Sequence, residues 1–289
     1  MKRCAYNFMS LSSQNILQKV FGYPEFKGQQ EAIIEAALQG RDSLVIMPTG
    51  GGKSLCYQIP AMLREGTGLV VSPLIALMQD QVTALHELGI AAEFLNSSQS
   101  PDERREVTSR LRQGRLQLMS VAPERLATEQ TRALLRDIPL SMIAIDEAHC
   151  VSQWGHDFRH DYLTLGELGA LFPGVPRMAV TATATDRTRE EIVTRLELHE
   201  PDIFIAPFDR PNISYAVQAK DGGRQQLLKF LQAHRGEAGI VYCLSRKKTE
   251  SIAAWLCEQD FEALPYHAGL ATEVRGENQR RLLDRKTGA

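Results

Sequence analysis

Short apolar runs alternate with amphipathic segments through the middle of the chain. From Asp42 to Ala206, runs of four to six mostly apolar residues are separated by segments whose apolar positions have helical spacing. Continuous runs of this kind are typical of parallel strands that are covered on both faces. We therefore expect a doubly wound α/β fold, with helices on both faces of a parallel sheet. The predicted strands are Ser43–Met47, Gly68–Val71, Leu116–Val121, Met142–Ile145 and Arg177–Val180.

The alternation is preceded by two helical patterns and is interrupted once. The helical patterns cover Ser12–Val20 and Gly28–Gln39. At residues 208–212 the sequence Phe-Asp-Arg-Pro-Asn breaks the alternation, because proline lacks an N–H and disfavours helix at the residue before it. We place a domain boundary there, between residues 1–207 and 208–289. The second part contains about half of a further α/β domain, with predicted strands Gly239–Cys243 and Phe261–Pro265 and predicted helices Ser245–Glu258 and Thr272–Leu283.

Composition and charge indicate a soluble globular protein. The 289 residues are 43% hydrophobic and 24% charged, with a formal net charge of −2. These values exclude disordered, collagen-like and fibrous classes, and no apolar run approaches the ~20 residues that span a bilayer. Residues 1–10 lack the apolar core of a signal peptide, so we expect a cytoplasmic protein without membrane partners. The near-zero net charge neither indicates nor excludes a local basic groove.

The cysteines are scattered along the chain without a Cys-x-x-Cys pair. We expect reduced thiols in or near the core, and neither a disulfide framework nor a zinc site. The five residues are Cys4, Cys56, Cys150, Cys243 and Cys257.

A glycine-rich turn follows the first predicted strand. Residues 48–54 read Pro-Thr-Gly-Gly-Gly-Lys-Ser and precede a helical pattern. Consecutive glycines allow backbone N–H groups to converge on a phosphate at a helix N-terminus. Lys53 would then reach the β- and γ-phosphates and Ser54 would hold Mg²⁺. Met47 occupies the first glycine of the strict Gly-x-x-x-x-Gly-Lys-Ser/Thr pattern, and the alternative is a glycine-rich turn with an incidental lysine.

A pair of carboxylates follows the strand Met142–Ile145. Asp146 and Glu147 come at the carboxyl end of that strand, where ligands bind in open parallel sheets. Asp146 is the expected Mg²⁺ partner of Ser54, and Glu147 is placed to orient or deprotonate an attacking water. Alone, such a pair is commonly a solvated helix start. Together with the phosphate loop it predicts a nucleoside triphosphatase.

The order of these motifs resembles that of RecQ-type DNA helicases of superfamily two, over Phe21 to Leu283. Met47–Ser54 is similar to the family's own phosphate loop, and residues 146–149 read Asp-Glu-Ala-His. The resemblance implies a RecA-like first motor domain followed by an incomplete second one, with ATP and Mg²⁺ as cofactors. It implies a 3′–5′ DNA helicase of repair and recombination, in the bacterial cytosol or nucleoid. The implied catalytic residues are Lys53, Asp146, Glu147 and His149.

The segment Phe21–Gln30 resembles the adenine-recognition motif of the same family. The resemblance implies that Tyr23 stacks on the base and that Gln30 hydrogen-bonds its edge. Lys27 stands where the family usually has arginine, whose planar group stacks better. The candidate nucleotide-binding residues are therefore Tyr23, Lys27, Gln30, Thr49, Gly50, Gly51, Gly52, Lys53 and Ser54.

The segment Cys150–Arg159 resembles the aromatic-rich loop of RecQ helicases. The resemblance implies single-stranded DNA contacts by Trp154, Phe158 and Arg159, and a relay by His156 to the nucleotide site. Aromatic rings give sequence-tolerant stacking of ~1–3 kcal/mol per base. The alternative is that the two aromatic residues, at i,i+4 spacing, belong to the core. The candidate DNA-binding and coupling residues are Gln153, Trp154, His156, Phe158 and Arg159.

Further segments resemble the family's remaining motifs. Val71–Gln81 and Ala122–Leu126 resemble strand-contacting motifs of the first motor domain, and Thr181–Ala184 resembles the motif that links ATP state to domain movement. In isolation, hydroxyl side chains after a strand are ordinary helix N-caps. Segments 208–212, 242–246 and 266–270 resemble opening motifs of the second motor domain, and the last two would face the other side of the DNA track.

One motif of the family is missing from the sequence. The second motor domain of such helicases contributes an arginine finger from Gln-x-x-Gly-Arg-x-Gly-Arg, which these 289 residues lack. An arginine finger contributes ~10³–10⁵ in rate in well-studied P-loop enzymes. We therefore expect a chain truncated within its second motor domain, with single-stranded and partly duplex DNA as partners. The alternatives are an ATP- and DNA-binding fragment without motor activity, or a related RNA helicase.

Overall fold

The computed structural model describes residues 11–97, 99–152, 158–207 and 212–287. The chain divides into two compact units, Met1–Arg210 and Pro211–Ala289. The predicted residues Gln153, Trp154 and His156, and all but the last residue of segment 208–212, lie outside the described residues.

A seven-stranded parallel sheet forms the centre of the first unit. Its strands are β1 (Ser43–Ile46), β2 (Thr67–Val71), β3 (Ala92–Leu95), β4 (Leu118–Val121), β5 (Leu140–Ile145), β6 (Arg177–Thr181) and β7 (Asp202–Ile205). The strand order is β3-β4-β2-β5-β6-β1-β7, and every pairing is parallel. This arrangement confirms the predicted α/β class.

Helices connect the strands. Those of the first unit are α1 (Ser13–Lys19), α2 (Gln30–Leu38), α3 (Lys53–Leu63), α4 (Ile75–Glu87), α5 (Pro101–Arg112), α6 (Pro123–Leu126), α7 (Glu129–Arg136), α8 (Leu168–Leu171) and α9 (Asp186–Arg195). Two 3₁₀ segments, Ala148–Val151 and His160–Glu167, follow β5. None of the helices within the described ranges is long and apolar enough to cross a membrane.

The core lies on both faces of the sheet because side chains alternate along each strand. On β1, Leu44 and Ile46 belong to one buried cluster, whereas Val45 belongs to the other. On β5, Ile143 and Ile145 belong to the first cluster and Met142 to the second. Both faces of these strands are therefore apolar, which is why the sequence showed continuous rather than alternating runs.

A buried ion pair joins three neighbouring strands at their amino ends. Arg177 Nη2 lies 2.6 Å from Asp42 Oδ2, and both side chains are less than one-tenth exposed. Asp42 also accepts hydrogen bonds from the backbone N–H groups of Arg177 and His199, and its own carbonyl accepts one from Asp202. The starts of β1, β6 and β7 are thereby held together, with every oxygen of the carboxylate in use.

The sheet contains two strands that the sequence pattern did not predict. In β3 the sequence is Ala-Glu-Phe-Leu, and β7 at one edge is half-exposed with the sequence Asp-Ile-Phe-Ile. Both are edge strands in the sheet order. In β3 the apolar run is interrupted by Glu93, and β7 contributes only three apolar residues after Asp202. The bounds of the five predicted strands differ from the observed bounds by one or two residues.

The second unit contains helices but not the predicted strands. Its helices are α10 (Gly223–Ala233), α11 (Arg246–Glu258) and α12 (Thr272–Thr287). Gly239–Cys243 and Phe261–Pro265 form no ladder, so their prediction as strands is wrong. A strand requires a hydrogen-bonded neighbour, and the described residues of this unit supply none; Ile240 and Tyr242 are accordingly exposed. Around α11, Arg224 lies over the Trp255 ring at 5.3 Å, and His267 lies 3.1 Å from Glu250.

The cysteines differ in their surroundings. Cys56 and Cys150 are buried and Cys243 is half-buried, but Cys257 is exposed, so its predicted place in or near the core is wrong. Leu256 lies on the buried side of α11, and Cys257, the next residue along the helix, therefore faces solvent. Cys4 lies outside the described residues. Within the residues placed by the structure, no group of three or more His, Cys, Asp and Glu could hold a metal ion.

Candidate nucleotide site

The glycine-rich turn forms a loop between β1 and α3. Helix α3 begins at Lys53, and Gly52 before it has a left-handed backbone with φ of +79°. A Cβ atom on Gly52 would lie 2.4 Å from Gln30 Nε2, and one on Gly51 would lie 2.9 Å from the Pro48 carbonyl oxygen. Only glycine fits this close approach. The free N–H groups of the first turn of α3 therefore face the loop, as an anion-binding helix N-terminus requires.

The side chain of Lys53 reaches back over the loop and is held by a backbone carbonyl at the start of the loop. Its Nζ donates a hydrogen bond of 3.0 Å to the carbonyl oxygen of Met47. An ammonium group has three donors, so two remain for phosphate oxygens. Ser54 is half-buried beside it, whereas Thr49 and Gly50 are exposed at the tip of the loop.

Gln30 is buried against the same loop. Its Nε2 donates hydrogen bonds to the carbonyl oxygens of Gly51 and Gly52, at 3.1 and 3.2 Å. Its Oε1 accepts one of 2.9 Å from the backbone N–H of Lys27. Both amide hydrogens are therefore used within the protein, and the structure brings Gln30 to the phosphate loop. Tyr23 and the Lys27 side chain are exposed.

Asp146 lies directly after β5 and is only 6% exposed. Burial, together with the charge of Glu147, raises the pKa of Asp146 to about 6. One of its oxygens accepts a hydrogen bond from the backbone N–H of Glu147, whose own φ of +48° turns the chain sharply at this point. A buried carboxylate with a raised pKa is electrostatically unfavourable when ionised, and a nearby cation stabilises it.

His149 connects the acidic pair to the end of β6. Its Nδ1 lies 2.9 Å from Thr181 Oγ1 and 3.3 Å from Glu147 Oε2. Thr181 Oγ1 donates its single hydrogen to the carbonyl of Thr183, so Nδ1 of His149 is the donor to Thr181. Cys150 and the Glu147 carboxylate raise the pKa of His149 to about 10, which is consistent with a protonated ring.

Thr181 is not the cap of the following helix. The N-cap of α9 is Thr185, whose side chain accepts from the backbone N–H of Thr188. Thr181 is fully buried, and its carbonyl accepts a hydrogen bond of 3.1 Å from the N–H of Met47. The alternative that Thr181 is a helix cap is therefore wrong. It joins the start of the phosphate loop to His149.

Two tyrosines behind the acidic pair were not indicated by the sequence patterns. Tyr162 donates a hydrogen bond of 2.8 Å to the backbone carbonyl of Asp146, and Tyr57 OH lies 3.5 Å from Gln81 Oε1. Burial, as the largest cause, raises the pKa of both hydroxyls. For Tyr57 the available signal was its position one helical turn after Ser54. Tyr162 lies in a 3₁₀ segment and had no such signal.

The described end of the aromatic segment lies beside another predicted motif. Arg159 Nη1 donates a hydrogen bond of 3.1 Å to the carbonyl of Pro73, within Val71–Gln81. Phe158 is half-buried, outside helix, and in edge-to-face contact with His160 at 4.9 Å. It belongs to neither of the two core clusters. Phe158 therefore gives no support to the core alternative, whose other residue, Trp154, lies outside the described residues.

The order of the strands explains why these groups meet. The phosphate loop follows β1, Asp146 and Glu147 follow β5, and Thr181 ends β6, and the three strands are neighbours in the order β5-β6-β1. Carboxyl ends of parallel strands share one edge of the sheet. A glycine-rich loop, a lysine, a buried carboxylate and a second carboxylate at this edge define a P-loop nucleotide-binding domain.

Comparison with known proteins gives the family. Residues 27–192, more than half of the chain, match the family described as DEAD/DEAH box helicase, and the chain belongs to that family. It is 50% identical to the ATP-dependent DNA helicase RecQ of Pasteurella multocida over 92% of this chain, and 42% identical to that of Bacillus subtilis over 94%. These alignments cover 42% and 46% of the relatives, so the chain spans less than half of their length. The RecQ resemblance seen in the motifs is confirmed.

Solved structures share the fold at low sequence identity. Mycobacterium smegmatis helicase Lhr bound to ssDNA and AMP-PNP has a TM-score of 0.68 at 21% identity, over 98% of this chain and 41% of that one. DUF1998 helicase MrfA bound to DNA and AMPPNP has a TM-score of 0.72 at 19% identity, over 95% and 42%. At these identities the likeness supports the fold alone.

Proposed function

We propose that residues 1–207 are the ATP-binding motor domain of a RecQ-type DNA helicase and that residues 208–289 are part of its second motor domain. The helicase would couple ATP hydrolysis to 3′–5′ movement on single-stranded DNA and to duplex unwinding. One observation carries the proposal: the phosphate loop, the Asp146–Glu147 pair and the His149–Thr181 contact come together at the ends of three adjacent strands.

The loop residues suit a nucleoside triphosphate with Mg²⁺. The loop from Thr49 to Gly52 would offer backbone N–H groups to the phosphates, although that of Gly51 donates to the Pro48 carbonyl here. Lys53 has two donors left for phosphate oxygens beside its bond to Met47. A serine hydroxyl and a carboxylate are hard oxygen donors of the kind that Mg²⁺ prefers, so Ser54 and Asp146 would hold the ion. Asp146 is buried, and its pKa is raised even though the charges of Lys53 and His149 act to lower it, so a further cation beside it would be favourable. When bound, Mg²⁺ neutralises charge on the transferred phosphoryl group.

Glu147 is the proposed base or orienting group for the attacking water. Its carboxylate lies 3.3 Å from the Nδ1 of His149, and this contact limits the orientations available to it. Because His149 also donates to Thr181, a shift at the end of β6 changes the position of Glu147. In the proposed cycle, this chain of contacts links the hydrolytic group to the segment that resembles the domain-movement motif.

The proposed DNA path follows the other motifs. Arg159 binds the carbonyl of Pro73, which places it beside the segment Val71–Gln81. Phe158 and Arg159, with Gln153, Trp154 and His156, are the proposed contacts to single-stranded DNA. Tyr23 and Lys27 are exposed, as residues that stack on an adenine must be before nucleotide binds. DNA as the partner is supported by the names of the relatives, which are DNA helicases.

The test is steady-state ATP hydrolysis by this chain with and without single-stranded DNA, together with equilibrium binding of each. Lys53→Ala is expected to abolish hydrolysis with no change of fold by circular dichroism, since removing the ammonium leaves phosphate oxygens uncompensated. Lys19→Ala, at an exposed lysine of α1, is the matched control. Equal turnover in the two variants, at a measurable rate, would refute the phosphate-loop assignment.

Binding without turnover would favour the second candidate, an ATP- and DNA-binding chain without motor activity. The observation in its favour is the missing Gln-x-x-Gly-Arg-x-Gly-Arg sequence, since an arginine finger contributes ~10³–10⁵ in rate. Strong stimulation of hydrolysis by DNA would exclude this candidate.

A further inference from the structure

The peptide group between Asp146 and Glu147 is held at both of its ends. Its carbonyl, which belongs to Asp146, accepts a hydrogen bond of 2.8 Å from the hydroxyl of Tyr162. Its N–H, which belongs to Glu147, donates one of 3.0 Å to a carboxylate oxygen of Asp146. The peptide group that joins the two acidic residues therefore has a fixed orientation, and one of its contacts comes from a residue 16 positions away in the sequence.

This orientation keeps Glu147 in a conformation that side chains rarely adopt. Its φ of +48° and ψ of +44° lie in the left-handed region, where the Cβ atom comes too close to the following carbonyl oxygen. Such a conformation persists when the surrounding structure imposes it. A rotation of a peptide group changes the φ of the residue that follows it. If the Asp146–Glu147 peptide group were free, we expect that Glu147 would relax and that its carboxylate would leave its contact with His149.

The contact from Tyr162 does not use the Asp146 carboxylate. That carboxylate is the proposed ligand of Mg²⁺, so the ion and the N–H of Glu147 would share its oxygens. The hydroxyl of Tyr162 donates instead to the backbone carbonyl of Asp146. The tyrosine is fully buried, and its own N–H donates a hydrogen bond of 3.1 Å to the carbonyl of Arg159. It is therefore a fixed support for the peptide group, independent of the side chain that would bind the metal.

The hydroxyl, and not the ring, is the unusual feature of this position. Tyr162 lies in an apolar cluster with Cys150 and Leu165, where phenylalanine would fill the same space. Burying a hydroxyl is unfavourable unless it forms a hydrogen bond, so packing alone would favour phenylalanine. The hydroxyl is spent on the carbonyl of Asp146, directly before the left-handed residue.

We propose that Tyr162 is a positioning residue for ATP hydrolysis. Its hydroxyl keeps the Asp146–Glu147 peptide group, and through it the Glu147 carboxylate, in the orientation that the hydrolytic step needs. The inference rests on the proposed function, because it takes Glu147 as the group that acts on the attacking water.

The first test is Tyr162→Phe, which removes the hydroxyl and keeps the ring. The kcat for ATP should fall about five- to tenfold, which is the loss of one buried hydrogen bond expressed as a rate. The KM should stay within about twofold, because the phosphate loop is unchanged. Equal kcat values for this variant and the wild type would overturn the proposal.

The matched control is Thr164→Val in the same 3₁₀ segment. It removes a hydroxyl that donates a hydrogen bond of 2.9 Å to a backbone carbonyl, that of Asp161, away from the acidic pair. Both variants should unfold within about 4 °C of the wild type, since each loses one hydrogen bond. The control should keep its kcat within about twofold of the wild type. An equal loss of kcat in the two variants would mean that the segment is merely structural, and would overturn the proposal.

A double variant tests whether Tyr162 acts through Glu147. In the Glu147→Gln background, Tyr162→Phe should change the residual single-turnover rate less than about twofold, because residues that act as a unit are not additive. A general loosening of the structure would instead multiply the two losses. A further five- to tenfold fall, about the loss expected in the wild-type background, would overturn the proposal.

Amide hydrogen exchange gives a measurement that does not depend on hydrolysis. The carbonyl of Glu147 accepts a hydrogen bond of 2.9 Å from the N–H of Cys150, at the start of the 3₁₀ segment Ala148–Val151. Exchange in residues 147–151 should therefore be faster in Tyr162→Phe and unchanged in Thr164→Val. Wild-type exchange in Tyr162→Phe would overturn the proposal. If exchange is faster but the wild-type chain hydrolyses no ATP, the proposed function fails, whereas the support of this turn by Tyr162 stands.

Discussion

Gln30→Ala tests whether the phosphate loop is held by a side chain from α2. The substitution removes three hydrogen bonds: two from Nε2 to the carbonyls of Gly51 and Gly52, and one from the backbone N–H of Lys27 to Oε1. A net contribution of about 1 kcal/mol per bond gives a loss of about 3 kcal/mol in the free energy of unfolding. For a unit of this size, the unfolding midpoint should fall by roughly 6–12 °C.

Gln29→Ala is the control, because it removes the same side chain from the adjacent exposed position, where no side-chain cap bond is formed. Surface changes of this kind remain within about 0.5 kcal/mol. The assays are thermal unfolding by circular dichroism and binding of a fluorescent ATP analogue. Nucleotide affinity should also fall in Gln30→Ala, because the loop must then be ordered on binding. If the two variants unfold at the same temperature, the loop does not depend on this amide and the argument fails.

Three other changes test the remaining parts of the site and its support. Glu147→Gln should keep nucleotide affinity within about twofold and reduce hydrolysis at least ~10²-fold, because the amide cannot take a proton; loss of binding instead would mean a structural role. Thr181→Val should lower DNA-stimulated hydrolysis, measured as the ratio of rates with and without DNA, because it removes the acceptor of His149; Thr181→Ser should restore the ratio, and a failure to do so would contradict the assignment. Asp42→Ala should cost about 3–5 kcal/mol in denaturant unfolding, because it leaves Arg177 buried and unpaired, and a loss below about 1 kcal/mol would show that the pair is not essential.

The sequence predicted the fold where both faces of a strand are buried. The runs of β1, β2, β4, β5 and β6 are mostly apolar and almost entirely buried, and each was located to within one or two residues. The edge strands β3 and β7 were not, because Glu93 interrupts the apolar run of β3 and the apolar run of β7 is only three residues long. In the second unit, two apolar runs were predicted to be strands, but these strands do not form. An apolar run indicates that a segment is suited to a sheet, but it does not show that a neighbouring strand is present to pair with it.

The candidate site was predictable for those reactive side chains that come after a predicted strand in the sequence. Asp146 and Glu147 follow β5 directly, and Lys53 ends the short loop that follows β1, so their common edge could be inferred from the parallel topology. The contacts that hold them could not. Gln30, His149 and Tyr162 act through backbone carbonyls or a hydroxyl, and no residue pattern specifies such partners.

Met47 shows that the first position of this phosphate loop is determined by the hydrophobic core. Its side chain is 5% exposed and lies in the cluster beneath the sheet, its N–H extends the ladder to Thr181, and its carbonyl holds Lys53. The two backbone groups would be present with any residue except proline, whereas the side chain fills space. Glycine, the residue of the common loop pattern, would leave a void that costs several kcal/mol. At this position, tolerance to substitution should therefore follow side-chain volume, and the small residue that the loop pattern prescribes should be among the least tolerated.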